Sequence, residues 1–144
     1  PSPPPPAYEM HSFVDPSLCV EVAALEVNAN LYLTDCRTTA FQQFAISPLD
    51  STIRVAAATD WCVMVESVDS AKLVLGLCSD PLEANEMFFY YAQLQCFRMT
   101  SADSFCWRSV DTIAAGSLMG VAPCNAGVDE KFTLTAVIDH VDIP

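Results

Sequence analysis

Apolar and polar positions alternate in short runs along this chain. Val20 and Val22 flank Glu21, and Val63 and Val65 flank Met64. The pairs Leu31 and Leu33, Leu73 and Leu75, and Met119 and Val121 alternate with other residues in the same way. A period of two marks a half-buried strand. Clusters of Asp, Ser, Asn, Pro and Gly separate the runs, as turns require. The one helix-like stretch, 81–87, is too short to stand as a helix. The pattern predicts an all-β chain.

The runs recur. Phe44, Phe88 and Phe132 are spaced by 44 residues, and each closes a similar triplet: Gln42-Gln43-Phe44, Glu86-Met87-Phe88 and Glu130-Lys131-Phe132. An apolar or aromatic residue follows two later, at Ile46, Tyr90 and Leu134. Met10, Ile53 and Phe97 each lie nine residues before a cysteine and are followed by His11, Arg54 and Arg98. A self-similar period of this kind is the sequence signature of a repeat architecture. Each copy supplies about four short strands. Three such units closing on one core make a β-trefoil, and closure removes exposed strand edges. A linear solenoid needs atypical capping repeats, whereas all three copies here carry the same apolar marks. The expected organisation is a proline-rich linker at 1–7 and a trefoil at 8–144, with repeats of about 44 residues at 8–50, 51–93 and 94–136.

Six of the seven cysteines fall into this frame. Cys19, Cys62 and Cys106 open the repeats, and Cys36, Cys78 and Cys124 follow 17, 16 and 18 residues later. Six cysteines allow 15 connectivities. The three-fold agreement favours Cys19–Cys36, Cys62–Cys78 and Cys106–Cys124, one disulfide per repeat. Each would close a loop worth about 3 kcal/mol on the chain-entropy account. Cys96 is left over. Phe97 takes the apolar position of its strand, so alternation turns Cys96 outward. An outward thiol invites an intermolecular bond; the bland alternative is a free thiol shielded by a neighbouring loop. Register also places Trp107 with Val20 and Val63, and Trp61 with Leu18 and Phe105, which are core-like positions. The shared place of His11, Arg54 and Arg98 points to a common structural contact.

Composition narrows the function. The 144 residues suffice for one domain with a core. Seven cysteines in so short a chain point to an oxidising, extracellular or cell-surface setting. The balance of 18 acidic against 6 basic residues excludes the basic footprint that nucleic acid requires. No apolar run is long enough for a membrane-spanning helix. Charged residues make up only 17% against a usual share of about 25%. So little charge points to a surface partly covered by other subunits or glycans, scattered surface apolar residues being the plainer account. The cysteines form no C-x-x-C pair and no cluster with histidine, so no metal or other cofactor is expected. His11 and His140 lie at opposite ends, and no nucleophile-elbow motif occurs, so no enzyme is expected. There is no Asn-x-Ser/Thr acceptor for a glycan.

A cysteine opening a Cys-Val-x-Val strand, a second cysteine 16 to 18 residues on, and then a Gln-x-aromatic triplet resembles the ricin B-chain-type lectin domain, over roughly residues 8–136. That family uses Gln-x-Trp; this chain has Phe throughout, and Glu for Gln in two repeats. The resemblance implies a sugar pocket per repeat. It would be built from an Asp two residues after the first cysteine, an aromatic residue just before the second cysteine, and an Asn just before the triplet. The Asp position holds Glu21, Met64 and Arg108. The aromatic position holds Thr34, Gly76 and Ala122. The Asn position holds Phe41, Asn85 and Asp129. No repeat keeps the set. The first retains most, with Glu21, Tyr32 four before Cys36, and Gln42; Asn85 and Asp129 are remnants in the others. A hydroxyl facing Met64 would lose its partner at a cost of about 1–3 kcal/mol.

The leader Pro1-Ser2-Pro3-Pro4-Pro5-Pro6 suits a polyproline II rod. It is similar to spacers of hydroxyproline-rich extracellular glycoproteins; a plain linker or a docking segment for an aromatic groove is the alternative. The sequence is thus expected to encode a non-catalytic, lectin-like interaction or assembly module of an extracellular structure. Its partners would be glycans, glycoproteins or other subunits of the assembly. A working carbohydrate-binding module with a shifted site, best placed in the first repeat, is the second expectation. A trefoil protease inhibitor is a third, with no reactive loop identified.

Overall fold

The computed structural model describes residues 6–67, 71–137 and 143. Most of the proline-rich leader (residues 1–5) and His140 lie outside the described residues. Twelve strands run in chain order. They are β1 Ala7–Ser12, β2 Leu18–Val22, β3 Ala29–Asp35, β4 Phe44–Ser47, β5 Thr52–Val55, β6 Ala58–Val65, β7 Leu73–Leu77, β8 Phe88–Tyr91, β9 Cys96–Met99, β10 Phe105–Ser109, β11 Met119–Pro123 and β12 Phe132–Val137. A single turn of 3-10 helix precedes β4, β8 and β12, at Ala40–Gln42, Ala84–Glu86 and Val128–Glu130. No described helix is long and apolar enough to cross a membrane.

β1, β4, β5, β8, β9 and β12 form a ring. Antiparallel ladders join β12 to β1, β1 to β4, β4 to β5, and β8 to β9. Phe88 N–H donates to Ser51 O at 2.7 Å and Phe132 N–H to Gln95 O at 2.8 Å, which carries the ring from β5 to β8 and from β9 to β12. The hairpins β2–β3, β6–β7 and β10–β11 meet over one end. β3 pairs with β7 through Ala29↔Leu75 and Asn30↔Val74, and the bridges Tyr32↔Leu118 and Lys72↔Gly120 bring β11 to both. Gly120 permits that approach, because a Cβ there would lie 2.8 Å from Ala71 O.

The core is assembled from the matched apolar positions. Met10, Ile53 and Phe97 are buried, as are Phe44, Phe88 and Phe132, and so are Leu31, Leu73 and Met119. The layer of Val20, Val63 and Trp107 is uneven, and neighbouring rings take up the larger side chain. Phe97 stacks on Trp107 at 4.6 Å between centroids, and Phe88 meets it edge-on at 5.3 Å. Trp107 is therefore a core residue, as expected. Trp61 is not: it is half-buried and packs against the core from outside, and Phe105 at the matching position is 37% exposed.

Disulfides join Cys19 to Cys36, Cys62 to Cys78 and Cys106 to Cys124, one on each hairpin. Of the two alternatives for Cys96, the structure shows the shielded free thiol and not an accessible one. Cys96 does turn away from the Phe97 side of β9, yet it is only 3% exposed. Arg98 Nε lies 3.4 Å from its sulfur, and Ala126, Gly127, Glu130 and Lys131 share the small crevice beside it. Cover by another segment, which alternation along one strand does not report, buries the thiol. Two outcomes follow. Phe97→Ala, which removes a ring touching Tyr90, Trp107 and Phe132, is expected to cost about 3–5 kcal/mol in urea unfolding. Cys96 is expected to resist alkylation in the native protein and to react at one site per chain in denaturant; rapid native labelling would contradict its burial.

Candidate functional site

The first hairpin gathers the candidates of the first repeat. Glu21 on β2 faces Tyr32 on β3 in register, so both side chains leave the same face of the hairpin. The 3-10 turn brings Gln42 beneath them. Glu21, only 4% exposed, accepts the Tyr32 hydroxyl and a hydrogen bond from Gln42 Nε2 at 3.0 Å. Arg37, one residue past the disulfide, then closes on it. Its Nη2 reaches Glu21 Oε1 and Oε2 at 2.9 and 2.8 Å, and its Nε reaches Oε1 at 3.2 Å. A bidentate guanidinium is among the strongest partners a carboxylate can have. A carboxylate offers about four lone-pair sites, and the protein itself occupies them. Burial first, and then the bond to Glu21, raise the Tyr32 phenol above its usual value.

The second repeat closes the same place differently. Met64 stands where Glu21 stands, and Gly76 occupies the family's aromatic position. A Cβ built on Gly76 would sit 2.7 Å from Met64 Cε and 3.0 Å from its Sδ. The thioether therefore lies over the glycine, in the space a stacking ring would need. Asn85 donates through Nδ2 to Val65 O at 2.9 Å and so ties the 3-10 turn to the end of β6. Beside it lies an apolar cleft of 440 Å³ shared with Met99, Phe105 and Val121.

In the third repeat the two positions face each other as an ion pair. Arg108 Nη2 lies 3.9 Å from Asp129 Oδ2, with Asp129 half exposed. The structure thus brings Glu21, Tyr32 and Gln42 together, while Asn85 and Asp129 each stand apart on another repeat.

The triplet's first residue has a role that differs from sugar contact in all three copies. Gln42 Oε1 accepts Arg37 N–H at 2.8 Å, Glu86 Oε1 accepts Ser79 N–H at 2.7 Å, and Glu130 Oε1 accepts Asn125 N–H. Each donor directly follows a second cysteine. Gln and Glu both supply a buried oxygen, which is why they interchange. The contact expected for His11, Arg54 and Arg98 also appears. Each donates to the carbonyl five residues on: Pro16 at 2.9 Å, Thr59 at 2.9 Å and Asp103 at 3.3 Å. His11 with Cys19 and Cys36, and Glu130 with Cys106 and Cys124, place three potential metal ligands within 4.8 Å. Both sulfur pairs are disulfides, so they offer no thiolate to a metal. Arg37 was missed from the sequence. Its signal was a lone charge after the second cysteine, where the other copies have Ser79 and Asn125.

No family model matches the chain, and no curated protein does. Solved structures do. The C-half of an earthworm R-type lectin, in complex with GalNAc, superposes with a TM-score of 0.79 at 10% identity, covering 92% of this chain and 100% of that one. The agglutinin of Abrus precatorius gives 0.74 at 19% identity, over 91% and 47%. ThreeFoil, a designed three-fold symmetric protein, gives 0.76 at 11% identity, over 89% and 96%. The fold is the β-trefoil that these structures share, and at these identities the likeness is one of fold alone.

A pH dependence follows from Tyr32. Its phenol holds its proton more tightly folded than unfolded, so stability is complete below about pH 10, the ordinary phenol value, and falls as pH rises through the higher folded value. Tyr32→Phe is expected to flatten this fall, measured as urea midpoints between neutral and strongly alkaline pH. An unchanged slope would remove Tyr32 as its source.

Proposed function

We propose that this domain is a non-catalytic, lectin-folded interaction module of an extracellular or cell-surface assembly, in which the sugar positions have become internal structure. One observation carries the reading: the Glu21 carboxylate is buried and already holds Tyr32, Arg37 and Gln42. A sugar hydroxyl would have to displace a bidentate guanidinium to reach it. The methionine over Gly76 and the Arg108–Asp129 pair support the same reading for the other repeats. The disulfides and the disulfide-compatible fold support placement outside the reducing cytosol. Exposed apolar residues, among them Val27 at 64% and Leu49 at 97%, support contact with other proteins.

A second reading, a carbohydrate-binding module with a shifted site, is favoured by one crevice. It spans 580 Å³ in the second repeat and is lined by Arg54, Asp60, Leu77, Ser79, Asp80 and Leu82. Carboxylates and a hydroxyl beside an apolar floor suit a sugar's mixed surface.

A glycan array on the purified domain separates the two. The expected result is no glycan above background, unchanged by Glu21→Ala. A strong signal lost on Glu21→Ala would overturn the first reading. A signal lost on Asp80→Asn and not on Glu21→Ala would establish the shifted site.

A further inference from the structure

The three disulfides occupy matching places in the repeats, yet their surroundings differ. His11 on β1 lies over the first of them. Its Nδ1 is 3.3 Å from Cys36 Sγ and 3.5 Å from Cys19 Sγ. The matching residues, Arg54 and Arg98, are directed at Thr59 O and Asp103 O. We propose that Cys19–Cys36 is a thiol-exchange site, with an external dithiol as its co-substrate and His11 as the acid that protonates the leaving sulfur. The proposal does not depend on whether the domain binds sugar.

The contacts of the His11 ring fix where its protons are. Nδ1 lies 2.9 Å from Pro16 O. A carbonyl only accepts, so Nδ1 carries a proton, and the edge that bears it is the one facing both sulfurs. Nε2 lies 3.5 Å from Glu9 Oε1. Only the imidazolium can donate at both edges. Thr133 and Cys19, opposite His11 on β12 and β2, bring no charge. Asp15, in the turn between β1 and β2, is engaged by Ser17.

Exchange starts with attack by a thiolate and is faster when the departing sulfur leaves more easily. The other two disulfides are poorly placed for it. The Glu130 carboxylate lies within 4.8 Å of both sulfurs of Cys106–Cys124, where its charge opposes an arriving thiolate and a departing one. Cys78 stands in a crevice walled by Arg54, Asp60 and Asp80. Arg54 is paired with Asp50, and a guanidinium has no proton to give up.

Access selects the sulfur that is attacked. Cys19 is fully buried, whereas Cys36 is half-buried. A thiolate of the dithiol bonds to Cys36 Sγ as the Cys19–Cys36 bond breaks. The electron pair of that bond leaves on Cys19 Sγ, which takes the Nδ1 proton of the imidazolium. The second thiolate of the dithiol then displaces Cys36 Sγ, which takes a proton from water. The dithiol is oxidised to a disulfide, and the hairpin is left with two thiols.

The test uses the full chain and dithiothreitol. Aliquots are quenched in acid and alkylated in denaturant, and each cysteine is quantified by peptide mass spectrometry. Rates are expressed per dithiothreitol thiolate at about pH 5 and about pH 8, the range over which histidines change charge. Cys19–Cys36 is expected to open first. Its thiolate-specific rate is expected to be at least about tenfold higher at the lower pH, general acids contributing about 10²–10⁴. The other two disulfides are expected to show no such rise. His11→Arg, which installs the residue type of the other repeats, is expected to abolish it. His11→Gln makes the same check without a new charge beside Glu9. First opening at either of the other disulfides would overturn the proposal. So would a rise of equal size at all three, or one that survives in both variants.

Discussion

Each hairpin of this trefoil depends on one buried oxygen. The side chains of Gln42, Glu86 and Glu130 are almost wholly hidden, and each accepts the backbone N–H that follows the hairpin's second cysteine. A buried N–H without a partner costs about 1–3 kcal/mol, so the acceptor and the disulfide beside it stand or fall together. The disulfide closes the hairpin, and the acceptor fastens its exit to the 3-10 turn that launches the next ring strand. Phe44, Phe88 and Phe132 then enter the core two residues later, in the same phase each time. The three-fold regularity of the core is therefore inherited from a polar contact at its edge.

That contact also shapes the first repeat. Gln42 is required where it stands by the hairpin exit, and its remaining amide reaches Glu21 and Asp35 O. A carboxylate buried beside it cannot be left unpaired, because an isolated buried charge is far costlier than a paired one. Arg37 meets that need from the residue after the disulfide. Once it does, the acceptors a sugar would use are spent. The second repeat removes the charge altogether with Met64, and the third balances Arg108 against Asp129 at the surface. These are three local solutions to one problem, and each leaves the frame intact.

How legible each feature was in the sequence follows from the range of the interaction behind it. The strands, the core positions and the disulfides rest on periodicity and three-fold register, which linear spacing records. Glu21, Tyr32 and Gln42 were legible as a group because each holds a fixed offset from a cysteine. Arg37 was not, since its partner lies 16 residues away and only the β2–β3 register brings them together. For Cys96 alternation gave the direction and left access open between a shielded and a reachable thiol, because the segment beside it, 126–131, lies far along the chain. Trp61 shares a register position with Leu18, yet the position itself grades from buried at Leu18 to exposed at Phe105. Alignment of repeats finds the place; it does not find the depth.

The low charge of the chain takes on a more specific meaning from this arrangement. Of the six basic residues, Arg37 is committed to Glu21, Arg54 to Asp50 and Arg108 to Asp129. Arg98 is aimed at Asp103 O and the Cys96 sulfur. Most of the positive charge is therefore spent inside the protein, while an acidic excess of 12 remains on the chain. An acidic surface with apolar islands repels copies of itself at long range and yet offers non-polar contact at short range. Association of such a surface is favoured by a partner that brings positive charge or none.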